Sequence, residues 1–168
     1  EYGLISFIVL TFITSATYFI NDIFDKKYDK YHEVKKFRPI ASGKISSKRG
    51  IYCAILLIFF SFIILLNNYS LDIIKYFYLY VVISLLYTIF FKKLKWIDTL
   101  ILALLFLYRI YLGNITTDIK ISIWLFTFAF FFFWMLALIK RLSEIKKIKK
   151  ENLLGRAYKK KDLKIIIY

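Results

Sequence analysis

The sequence holds one cysteine, one histidine, one proline and five glycines, and each scarcity removes a class of protein. A single thiol, Cys53, excludes an internal disulfide framework, and there is no CxxC pair. With His32 alone, no group of imidazoles exists to build a zinc site. The apolar runs lack the Gly/Pro interruptions that mark the broken midplane helices of transporters. Acidic residues are few, 11 Asp and Glu against 26 Lys and Arg, which gives a formal charge of +15. Such a balance raises nucleic acid as a partner. No aromatic-studded basic groove or recognition helix is separable from the apolar runs, so no nucleic acid partner is expected.

What the sequence has in quantity is apolar surface. Hydrophobic residues make up 60% of 168 positions, above the roughly half usual for a soluble domain. They fall in five runs, 2–20, 51–71, 74–91, 97–113 and 121–139, with Lys75 and Arg109 interrupting the third and fourth. Each run is near the ~20 residues that a helix needs to cross the hydrocarbon core. In lipid the backbone must satisfy its own hydrogen bonds, and the runs are too long for barrel strands, so five transmembrane helices are expected. The first run lacks the basic leader and small-residue cleavage site of a signal peptide. The fold class is an all-α integral membrane bundle forming a single membrane domain, 1–168. Because residue 1 is Glu and "DLKIIIY" reads as a further apolar segment starting, the chain is expected to be an internal piece of a longer protein.

The bases are distributed by side. Segment 24–50 carries nine Lys or Arg, "KKLK" at 92–95 carries three and 140–164 carries eleven, while "NNYSLDIIK" and "GNITTDIK" carry one each. Alternate loops share one sign, as consecutive spans require, and the basic loops are assigned to the cytoplasm by the positive-inside rule. Attraction to the anionic bilayer surface follows from the same asymmetry.

Three acids stand out against this background. Asp22, Asp25 and Asp29 are spaced i, i+3 and i+7, so on a helix they fall within about 60° of one another. Like charges so placed repel unless a cation sits among them, and hard oxygen donors of this kind suit Mg²⁺. The competing expectation is a solvated helix end, with the aspartates paired to Lys26, Lys30 or Lys36.

Asn21 heads this cluster, and "NDIFDKKYD" resembles the NDxxDxxxD motif of the UbiA superfamily of intramembrane prenyltransferases. "RPIASGKIS" at 38–46 looks like the RPxxSG segment that follows it in that superfamily. "DKYHEVKKFRPIASG" and "KRLSE" at 140–144 are similar to one branch, the decaprenyl-phosphate phosphoribosyltransferases. In that branch Lys-Arg-x-x-Glu stands where other members have a second aspartate-rich motif. "LKWIDTLILALLFLYRIYLG" resembles the same branch, with Lys95, Asp98, Arg109 and Gly113 as matching positions. His32-Glu33 departs from it, since His-Pro is usual there.

The resemblance implies a UbiA-like bundle of nine helices, of which this chain would hold about five, in a bacterial or archaeal cytoplasmic membrane. It implies Mg²⁺-dependent transfer of a 5-phosphoribosyl group from phosphoribosyl diphosphate to a polyprenyl (decaprenyl) phosphate lipid, with pyrophosphate released. Asp22, Asp25 and Asp29 would be catalytic metal ligands. Arg38, Lys44 and Lys36 would neutralise the leaving group. Lys140 and Arg141 would clamp anionic groups, with Glu144 orienting them or a sugar hydroxyl. Asn21 and Lys95 complete the substrate-binding set. A UbiA-type enzyme moving an isoprenoid onto an aromatic or glycerol-phosphate acceptor is the second expectation, and a non-catalytic membrane subunit or transporter the third. Arg109, in the outer half of its span, is expected to be structural or to pair with a buried partner, with substrate contact the lesser reading.

Overall fold

The computed structural model of the protein describes residues 2–146, 155–159 and 162. Five helices run back and forth: α1 Tyr2–Asp29, α2 Ser47–Asn68, α3 Leu71–Ile89, α4 Ile97–Thr117 and α5 Ile123–Lys146. Short 3-10 turns at Lys35–Phe37 and Phe91–Lys93 follow α1 and α3. There is no strand among the described residues, and all five helices are long and apolar enough to cross a membrane. The protein is therefore a multi-pass membrane bundle. Much of the basic stretch expected at 140–164, including most of "KKIKK", lies outside the described residues.

Two helices run further than their apolar runs. α1 continues past residue 20 to Asp29, and α5 continues past 139 to Lys146. The polar extensions stay helical because they are held from the side: Asp22, Asp25 and Asp29 on α1 and Arg141 and Glu144 on α5 all bond to neighbouring elements. Segment 21–50 is thus helix, turn and helix start. Ser46 caps α2: its hydroxyl accepts the Arg49 amide, satisfying one orphan donor. α4 ends where Asp118 turns left-handed at φ 53°.

α1 is the axis of the bundle and packs on α2, α3 and α4, while α5 lies on α4. The core joins Val9 and Ile13 of α1, Phe77 and Tyr80 of α3, and Leu105 and Leu112 of α4. Ala16, Ala54, Ser61, Ser84, Ala103 and Thr99 are buried between helices, the small residues that let backbones approach where lipid gives no hydrophobic drive. The Ser61 and Thr99 hydroxyls are satisfied locally, donating to the Leu57 and Trp96 carbonyls. Phe7, Phe59, Phe128 and Trp124 point outward, as lipid-facing side chains do. A depression of about 340 Å³ lined by Leu107, Ile121, Phe126 and Phe130 lies between α4 and α5 at the end away from the motif residues.

Candidate active site

The C-termini of α1, α3 and α5 and the N-termini of α2 and α4 meet at one end of the bundle. The three basic connections therefore share that end, and so do the acids.

Two of the three aspartates converge on one nitrogen. Arg38 Nη1 donates to Asp22 Oδ1 at 2.8 Å and to Asp29 Oδ2 at 2.9 Å. Asp25 is turned aside: its Oδ1 takes Lys92 Nζ at 2.7 Å and its Oδ2 takes the Asn21 side-chain amide at 3.2 Å. Lys92, only 3% exposed, also reaches Asn21 Oδ1 at 3.4 Å. The expected local partners Lys26, Lys30 and Lys36 take no part in these pairs. Lys26 donates to Ser47 Oγ, and Lys36 is exposed over the Phe37 ring.

The turn carrying Arg38 is fixed from below. Arg38 is extended at φ −58°, ψ 142°, as a residue before proline prefers, and its carbonyl accepts the Ser42 amide. Ile40 and Ala41 are buried beneath it. Gly43 closes the turn at φ +84°, a conformation that side chains resist, which is the physical reason for Gly in "RPIASG".

A second cluster lies on α4 and α5. Asp98 is fully buried, and Arg141, 1% exposed, meets its Oδ2 at 2.7 Å. Arg141 also pairs with Glu144, which takes Lys35 Nζ at 2.8 Å and so ties α5 to the turn after α1. The segment after α5 returns to this point. Tyr158 donates its hydroxyl to Asp98 Oδ1 at 2.6 Å and accepts the Trp96 amide at 2.8 Å. Burial first, and then the bond to Asp98, push the Tyr158 hydroxyl up to about 12. Arg156 bonds Tyr87 and the Lys92 carbonyl and lies 3.5 Å from Asp98. The buried Arg141 Nε has no hydrogen-bond partner among the described residues.

Five carboxylates (Asp22, Asp25, Asp29, Asp98, Glu144) thus face five bases (Lys35, Arg38, Lys92, Arg141, Arg156) in linked pairs. Their formal charges cancel. This is an arrangement able to exchange internal ion pairs for a bound anion and cation without leaving a buried charge alone.

Such an arrangement has relatives. The model of the UbiA prenyltransferase family matches residues 2–157. The chain belongs to the UbiA prenyltransferase family. The chain is 34% identical over 156 residues to the uncharacterized protein y4nM of Sinorhizobium fredii, covering 90% of this chain and 30% of that one. It is 30% identical over 142 residues to a decaprenyl-phosphate phosphoribosyltransferase of Corynebacterium glutamicum, 84% of this chain and 43% of that one. It is 33% identical over 138 residues to a digeranylgeranylglyceryl phosphate synthase of Methanosphaera stadtmanae, 79% of this chain and 48% of that one. The chain spans less than half the length of each.

UbiA family prenyltransferases generally depend on a divalent metal. The donor set fits one: the Arg38 guanidinium stands where two carboxylates two turns apart on α1 aim at a single positive point, and one or two carboxylates are what a hard cation takes alongside phosphate and water. No three Asp, Glu, His or Cys side chains come close enough to hold one ion among the described residues. Asp25, held by Lys92, is the one apart.

Of the other residues singled out from the sequence, Asn21, Arg38, Arg141 and Glu144 join the cluster. Lys95 pairs with Asp162 at 2.8 Å at its edge. Lys36, Lys44 and Lys140 are exposed, with no ion pair to these acids among the described residues. Arg109 lies elsewhere, in the α4 span, where its Nε donates to the Tyr80 hydroxyl at 2.8 Å and its guanidinium stacks on Tyr80 and Phe106. Sequence reasoning missed Lys35, Lys92, Arg156 and Tyr158 as members. Lys92 directly abuts an apolar run, but so placed it looks like any snorkelling base; Arg156 and Tyr158 carry no local signal.

Proposed function

We propose that the protein transfers a 5-phosphoribosyl group from phosphoribosyl diphosphate to a polyprenyl phosphate such as decaprenyl phosphate, releasing pyrophosphate. The observation that carries this reading is the identity of the residues facing the aspartates across the cluster. Where a second aspartate-rich motif would hold a second metal-diphosphate, α5 presents Lys140-Arg141-x-x-Glu144, with Arg141 and Glu144 joined to the first motif's turn through Lys35. Similarity to decaprenyl-phosphate phosphoribosyltransferases supports it.

Asp22 and Asp29, with Asp25, would hold Mg²⁺, which when bound neutralises a departing diphosphate. Arg38 suits bidentate contact to that leaving group. The acceptor phosphate oxygen bonds to ribose C1 as the C1–O bond to diphosphate breaks through an oxocarbenium-like state. The attacking phosphate is largely ionised at neutral pH, since a phosphomonoester's second pKa is about 6, so no strong general base is required. The basic end faces the cytoplasm in this reading, where a water-soluble donor is found, and the lipid tail enters from the bilayer.

The second reading is isoprenoid transfer to a glycerol-phosphate acceptor, supported by the similarity to digeranylgeranylglyceryl phosphate synthases. The test is an assay of the full-length protein in detergent with radiolabelled phosphoribosyl diphosphate and separate lipid acceptors, with and without Mg²⁺. Label moving to polyprenyl phosphate only with Mg²⁺ is the expected result. Turnover only with prenyl diphosphate donors establishes the second reading instead. Asp22→Asn is expected to abolish either activity; unchanged turnover in that variant refutes the metal assignment.

A further inference from the structure

We infer that Arg38 is a built-in counterion that holds the place of a divalent cation between Asp22 and Asp29 and yields it when a diphosphate arrives, so that cation and diphosphate bind as a coupled pair. The inference rests on the reading of this cluster as a metal-diphosphate site.

Three observations single out Arg38 from the five bases. It alone bridges two aspartates of the α1 motif, through one nitrogen. Its side chain is 36% exposed, whereas Lys92 and Arg141 are 4% and 1% exposed, so it reaches the acids from the rim and has a path out. Its backbone is locked by the Lys35 carbonyl, the Ser42 amide and buried Ile40, so exchange takes only rotation of the side chain.

The charge balance then dictates coupling. A cation entering alone evicts a guanidinium from two carboxylates and offers it nothing in return. A diphosphate entering alone adds negative charge to a cluster already neutral, beside two acids that keep Arg38 occupied. When both enter, the cation takes the carboxylates and Arg38 turns to the diphosphate oxygens, where its planar fork forms charge-assisted hydrogen bonds. Each ligand therefore raises the affinity for the other by the same factor, and couplings of this kind are typically 5–150-fold.

The measurement uses Mn²⁺ as the cation and inorganic pyrophosphate as the anion, with the full-length protein in detergent and free Mn²⁺ followed by electron paramagnetic resonance. In the wild type, saturating pyrophosphate is expected to tighten Mn²⁺ uptake by roughly tenfold, after correction for the complex formed in protein-free solution. Arg38→Gln is expected to tighten Mn²⁺ binding without pyrophosphate by a similar factor and to abolish most of the coupling. Wild-type uptake that ignores pyrophosphate overturns the inference, and this arm stands even if the variant does not fold. A folded Arg38→Gln protein that binds Mn²⁺ alone no better than wild type overturns it as well. Neither ligand depends on the donor sugar or acceptor lipid. Coupling without phosphoribosyl transfer therefore sinks only the proposed substrate, and transfer without coupling sinks only the role of Arg38.

Discussion

Asp98→Asn removes the charge at the centre of the α4–α5 cluster while keeping the side chain's volume. The aspartate is fully buried and receives Arg141 at 2.7 Å, the Tyr158 hydroxyl at 2.6 Å and Arg156 at 3.5 Å. Removing one partner of a buried pair typically costs about 3–5 kcal/mol, because the other charge stays buried, and the Arg141 Nε already lacks a partner among the described residues. At about 2–4 °C per kcal/mol for a chain of this size, the variant should melt roughly 10 °C lower. Thermal unfolding in detergent followed by tryptophan fluorescence reports on the site directly, since Trp96 stacks edge-on against Tyr158 at 6.2 Å. The control is the double variant Asp98→Leu/Arg141→Met, which removes both charges. It should lie closer to wild type than Asp98→Asn does, because an apolar pair replacing a buried ion pair is often neutral. A loss below about 1 kcal/mol for Asp98→Asn, or a double variant worse than the two single changes combined, would refute the reasoning.

The remaining tests address other parts of the cluster. Gly155→Ala places a Cβ 2.7 Å from the Tyr28 ring at φ +78°, so strain and clash together should release the 155–158 segment and lower the melting temperature by several degrees. With the Tyr158 hydroxyl raised from 10.0 to about 12, the fold favours its neutral form. Its contribution is therefore complete below about pH 10 and lost as pH rises through about 12, and the pH dependence of melting should flatten in Tyr158→Phe. Lys36→Ala and Lys44→Ala, both exposed, should each change stability by less than about 0.5 kcal/mol in the same melts. A larger loss at either would place that lysine in contacts the structure does not give it.

Much of the architecture is legible in the sequence because lipid leaves the backbone few choices. Each of the five helices contains most of its expected apolar run, and the one-sided distribution of bases follows from consecutive crossings. The boundaries shifted where charge was compensated from outside the segment. Asp29 and Glu144 look like loop residues when read locally, yet they remain helical because Arg38 and Lys35 hold them. The family was readable from "NDIFDKKYD" and "RPIASG", whose spacing and glycine are set by local geometry.

Partner choice was not readable. Near-neighbour lysines at 26, 30 and 36 are the natural candidates for three aspartates, but Lys26 is taken by Ser47, and Lys30 and Lys36 lie past the end of α1, Lys36 over the Phe37 ring. The bases that do meet them come from nine residues beyond Asp29 and from 67 residues beyond Asp25. The sequence alone determines that this protein crosses a membrane and gathers opposite charges at one side of it, since hydropathy and charge are properties of segments. Which base answers which acid, and that Arg38 rather than Lys36 or Lys44 occupies the aspartate pair, was decided only by tertiary packing. Ion pairing depends on distances of a few ångströms between side chains from different helices, and no order of residues along a chain specifies those until the helices have packed.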